Sequence, residues 1–62
     1  MRQTTREQML HLKKGDTFYV NGERHKASVD SHMSEDASCD EFIVYDESGD
    51  GWFETDFPTE EL

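Results

Sequence analysis

The chain has one cysteine, one proline, no lysine or arginine after residue 26, and no long apolar run. Each scarcity excludes something. Cys39 alone closes no intramolecular disulfide, so a small secreted domain stapled by disulfides is ruled out. Nothing approaches the roughly 20 consecutive apolar residues of a membrane helix, and no apolar signal core follows Met1. A cytoplasmic location is the expectation. The chain also lacks a glycine-rich phosphate loop and any Ser-His-Asp spacing suited to a nucleophilic triad. At 62 residues with only 32% hydrophobic content, a single domain near the lower size limit for independent folding is expected. So small a core leaves little room for a substrate pocket. The expectation is a protein that is not an enzyme and holds no cofactor.

Positive charge is missing from the second half altogether. All six Lys and Arg lie in residues 1–32 beside four acids, a local balance of +2; residues 33–62 hold eleven acids and no base. Three causes fit the net charge of −9. A salt-adapted host keeps small surfaces hydrated with carboxylates, and molar salt screens their repulsion over a few Å. An acidic face can bind a basic partner, including as a nucleic-acid mimic that blocks a DNA- or RNA-binding protein. Net charge also keeps small proteins apart in solution. The composition resembles that of proteins from halophilic archaea.

What is present is concentrated in residues 41–57, EFIVYDESGDGWFETDF, with three of the four Phe, the only Trp and one of the two Tyr. Two aromatic and β-branched runs flank a polar, glycine-bearing turn, which predicts a β-hairpin. A two-residue loop at Ser48-Gly49 or Gly49-Asp50 puts Phe42, Val44, Phe53, Thr55 and Phe57 on one face, the expected core side. The other face then carries Ile43, Tyr45, Trp52, Glu54 and Asp56. An odd-length loop flips one strand relative to the other.

Upstream, Asn21-Gly22 between two strand-like runs is the strongest short-range hairpin signal. The spacing predicts a first hairpin over residues 16–30, with Phe18, Val20, His25, Ala27 and Val29 inward. Thr17, Tyr19, Arg24, Lys26 and Ser28 face outward, with Tyr19 opposite Arg24 as a stacking pair. Residues 4–14 carry helix punctuation. Thr4 with Glu7, or Thr5 with Gln8, fits a capping box; Lys13, Lys14 and Gly15 suit the carbonyl end; Met9 and Leu12 form a narrow apolar stripe. Residues 31–40 read as a mobile loop and 58–62 as a tail. Together these predict a mostly β, small α+β domain: two antiparallel hairpins forming a twisted, partly closed sheet, with one short N-terminal helix. The opening LKKGDTFYVNGE, followed by meander spacing, resembles the start of small SH3-like barrels. That likeness implies a fold and assigns no functional residue.

Two partial metal patterns are present. Asp46, Ser48 and Asp50 occupy positions 1, 3 and 5 of a calcium loop and Gly51 its sharp turn, but position 12 is Phe57 where a bidentate Glu is needed. His25, His32 and Cys39 are spaced by seven, which is no zinc-site spacing. Neither supports a metal. The expected function is a small acidic protein-interaction module. It would use Ile43, Tyr45 and Trp52, edged by Glu54 and Asp56, against a protein with a basic or apolar patch. Oligomerisation would offset the chain's small core. The alternative patch for nucleic acid is Lys13, Lys14, Tyr19, Arg24 and Lys26, although the net charge argues against direct nucleic-acid binding.

Overall fold

A computed structural model of the chain describes residues 2–35 and 40–60. In order, it forms a helix α1 (Arg6–Leu10) and strands β1 (Thr17–Val20), β2 (Glu23–Lys26), β3 (His32–Met33), β4 (Phe42–Tyr45) and β5 (Gly51–Phe53), then a 3-10 turn over Glu54–Asp56. The fold is mostly β, in two antiparallel sheets: β1-β2, and β3-β4-β5. The described residues form no closed barrel. None of their helices is long and apolar enough to cross a membrane.

The first hairpin has the register that Asn21-Gly22 dictates. Both turn residues take positive φ, 52° and 84°, as a type I′ turn requires. Tyr19 pairs with Arg24 and Phe18 with His25. Phe18 and Ala27 are fully buried, whereas Val29 lies beyond the strand and is exposed. Helix α1 is capped as the sequence predicts at Thr5, whose hydroxyl accepts from the Gln8 amide while the Gln8 side chain accepts from the Thr5 amide. Thr4 has a different role: its hydroxyl accepts from the Tyr19 amide at 2.7 Å, fastening the N-terminal strand segment to β1.

The helix ends at Leu10 rather than at residue 14. Ser31 intercepts the next carbonyls: its hydroxyl donates to Leu10 O at 3.0 Å and its amide to Leu12 O at 3.0 Å. Lys13 and Lys14 turn away, their amides donating to Asp16 Oδ2 and Asp30 Oδ1. Gly15 is left-handed at φ 93°, in the turn over residues 13–16 rather than at the helix end. Met9 and Leu12 are both buried, so the apolar stripe survives the shortening.

Two further features differ from expectation. Residues 32–33 are a strand pairing with β4, not loop; of the predicted loop, residues 36–39 lie outside the described residues, as do residues 61–62 of the tail. The second hairpin closes through three residues, not two. Ile43 pairs with Phe53, Val44 with Trp52 and Tyr45 with Gly51. Asp46 N–H donates to Asp50 O and Gly49 N–H to Asp46 O, and Gly49 sits at φ 94°. This is the three-residue loop with a left-handed glycine in its last position. The odd loop flips β5 relative to the expected parity. Trp52 joins Val44 and Phe42 on the core side, and Phe53 joins Ile43 and Tyr45 outside. Phe57 is still core, 1% exposed, because the 3-10 turn swings it back in.

The core comprises Met9, Leu12, Phe18, Ala27, Val44 and Phe57, with Leu10, Val20, Phe42 and Trp52 packed around it. The sheets meet at an isolated bridge between Ala27 and Asp46, flanked by Ser28 N–H to Tyr45 O and Glu47 N–H to Lys26 O. From Ala27 to His32 the chain takes five steps while its partner takes three, from Asp46 to Ile43. The segment from Ala27 to Met33 thus follows one edge of β4 with two extra residues bulged out of the pairing.

Candidate functional site

Two surfaces emerge from this framework, on opposite sheets. The first is the outer face of β3-β4-β5. His32 and Phe53 flank Ile43 across the strands, and the His32 and Tyr45 rings lie 6.4 Å apart. Tyr45 covers Gly51, where an added Cβ would meet its Cε1 at 2.8 Å and the Ile43 Cδ1 at 3.6 Å. Glycine therefore lets the Tyr45 ring lie flat on the strand beside it. Ile43 is nearly sealed beneath these neighbours, while Tyr45 stays 38% exposed and Phe53 half-buried.

Of the residues proposed for a partner face, the structure brings Ile43 and Tyr45 together and separates them from Trp52. The Trp52 ring packs edge-on to Phe18 at 5.6 Å and against His25 at 4.5 Å. Phe53 takes its place outside. Glu54 and Asp56 flank the same region, but each lends an oxygen to the fold: Glu54 Oε1 accepts from Phe42 N–H, and Asp56 Oδ2 from Phe53 N–H. Just before β4, Glu41 Oε1 is buried without a hydrogen-bond partner, which costs the fold the desolvation of that oxygen.

The second surface is the outer face of β1-β2. Arg2 lies over the Tyr19 ring, 5.1 Å from its centroid, and donates to the Tyr19 hydroxyl at 2.8 Å. The expected Tyr19–Arg24 stack is thus a cross-strand pair whose ring is covered by Arg2 instead. Lys26 pairs across from Thr17 and reaches Glu47 only at 3.9 Å, both side chains well exposed. Arg24, with Gly15, Thr17, His25, Lys26 and Glu47, lines an open polar cleft of about 520 Å³. Lys13 and Lys14 are exposed and form no ion pair among the described residues.

Between the surfaces lies a polar joint that the sequence did not single out as such. Asp46 is buried, and its Oδ1 accepts from the Ser48 hydroxyl at 2.6 Å, the Ser48 amide at 2.9 Å and the Asp50 amide at 3.1 Å. Its Oδ2 lies 2.9 Å from His25 Nδ1. The Ser48 hydroxyl, then the Asp50 and His25 contacts, hold the Asp46 carboxyl below its ordinary value against the opposing effect of burial. With Asp46 ionised, Nδ1 is the protonated nitrogen and donates. The Asp-x-Ser pattern before a glycine was the available signal, since such carboxylates capture the amide two residues on. In a calcium loop this carboxylate would face the ion; here its oxygens are spent on the turn and on β2. Serine donates to the aspartate rather than to the histidine, so the three do not form an activated nucleophile. Among the described residues, no three His, Cys, Asp or Glu side chains cluster as a metal site; Cys39 lies outside them.

No protein-family model, curated protein or solved structure matches the chain.

Proposed function

We propose that the chain is a small, non-enzymatic, acidic protein-interaction module, a partly closed sheet of the SH3-like kind, whose partner presents a basic or apolar patch. The observation that carries this reading is the outer face of β3-β4-β5. There, Tyr45 and Phe53 stand partly exposed over Ile43 in the half of the chain that contains no base. Aromatic anchors ringed by carboxylates suit a partner that places an aliphatic group on the rings and a Lys or Arg at the rim. Salt adaptation of the host accounts for the remaining acidity, far in excess of what one interface uses.

The test is a titration with an amphipathic Lys-Leu peptide, followed by backbone amide shifts. Perturbation should centre on Ile43, Tyr45 and Phe53 and be lost in Tyr45→Ser. Shifts confined to the first hairpin, or none at all, would sink the reading. Binding that vanishes at high salt and ignores Tyr45→Ser would replace it with the nucleic-acid mimic, in which carboxylates alone make the contact.

A further inference from the structure

The cations of this acid-rich chain are mostly unpaired with its acids. All six Lys and Arg are described, yet only Lys26 comes within 4.0 Å of a carboxylate among the described residues, at 3.9 Å from Glu47. Arg6 is directed inward, its Nε donating to Glu54 O and Phe57 O. Arg2, Arg24 and Lys26 converge with Tyr19 and Thr17 on the outer face of β1-β2, beside the open cleft. Three cations thus gather in a strip around one aromatic ring, with Asp16, Glu23 and Glu47 as the acids beside them.

We propose that this strip binds single-stranded nucleic acid. Arg24 and Lys26 would meet successive phosphates, and the Arg2–Tyr19 stack would offer a flat cationic surface to a base. Arg24 and Lys26 are two residues apart on one strand face, a spacing of roughly 6.6 Å along the strand. Guanidinium planes and aromatic rings stack bases without regard to sequence. The cleft between Gly15 and Glu47 is within the size range of small-ligand sites, about 300–1,000 Å³, and accommodates a splayed nucleotide.

Net charge is the obstacle, and distance answers it. At physiological salt the screening length is about 8 Å, whereas the molecule measures 34 × 23 × 17 Å. Carboxylates on the far sheet are therefore largely screened from this face, and Asp16, Glu23 and Glu47 are the acids that compete locally. The acidic aromatic face and the basic aromatic face lie on different sheets, so this inference stands or falls apart from the proposed protein-binding function.

The test is fluorescence anisotropy of a short labelled oligothymidylate with the full chain over a range of salt. Two phosphate contacts predict a slope of log affinity against log salt of about −1.4, falling to near zero in Arg24→Gln/Lys26→Gln. Both substituted side chains are exposed, and Trp52 fluorescence confirms that the variant is folded. Independently, ultraviolet cross-links from a bromouracil oligonucleotide should map to residues 17–26. No binding at low salt, an unchanged slope in the double variant, or cross-links in residues 41–57 would overturn the proposal. So would competition by oligoglutamate as effective as that by unlabelled oligothymidylate, because the strip would then read charge alone.

Discussion

His25 of the first hairpin and Asp46 of the second meet at 2.9 Å, and this contact, with the adjoining Ala27–Asp46 bridge, joins the two sheets. The His25 ring is clasped between Phe18, stacked at 5.5 Å, and Trp52 at 4.5 Å. A hydrophobic sandwich thus fixes the donor, and a turn fixes the acceptor.

Acid sensitivity follows from the lowered Asp46 carboxyl. A carboxylate that is more acidic folded than unfolded adds stability above the unfolded value of about 3.9. That stability is lost as pH falls through the folded value. Protonating the many surface acids relieves repulsion and works the other way. The quantity to measure is therefore the difference in urea midpoint between the native chain and Asp46→Asn from pH 7 downward. It should be constant above about pH 5 and shrink below; a difference independent of pH would show that Asp46 contributes no ionic term.

The flipped strand makes a sharp contrast between neighbours. Trp52→Ala should destabilise by about 3 kcal/mol, as core aromatic truncations do, while Tyr45→Ala should cost less than about 1 kcal/mol. Equal losses in chemical denaturation would mean that both rings are structural.

Two glycines of the second hairpin separate backbone strain from side-chain contact. Gly49→Ala forces a Cβ onto a residue at φ 94° with nothing within 4 Å, so its cost is conformational, about 1–2 kcal/mol. Gly51→Ala has no such strain but strikes the Tyr45 ring. That ring is free to swing outward, so stability should change by less than about 1 kcal/mol while Tyr45 becomes more accessible to iodination.

Potassium chloride should stabilise the fold progressively. With a net charge of −9 and one weak exposed Lys–Glu pair among the described residues, screening removes repulsion and little attraction. A urea midpoint that falls between low and molar salt would refute the view that the carboxylates are an adaptation to salinity.

Local chemistry made the first hairpin and the helix cap legible. Asn21-Gly22 admits one turn, and Thr5 and Gln8 satisfy each other without help from the rest of the chain. The second turn is ambiguous because Gly49 fits either position of a two-residue loop as well as the last position of a three-residue one. The choice fell to Asp46, whose carboxylate gathers Ser48 and Asp50 only in the longer loop. Hence the sequence keeps Tyr45 and Ile43 together but exchanges Trp52 and Phe53. The helix end is not legible because it is set by Ser31, some twenty residues away. β3 is not legible either, because two residues carry no period and only β4 beside them makes a strand.

Arg6 grips carbonyls 48 and 51 residues further along the chain, and its amide donates to Pro58 O. A helix of five residues does not persist alone, so its seat exists only once residues 54–58 have been synthesised. During translation the first hairpin can close early, whereas the segment before it must wait until Pro58 has left the ribosome.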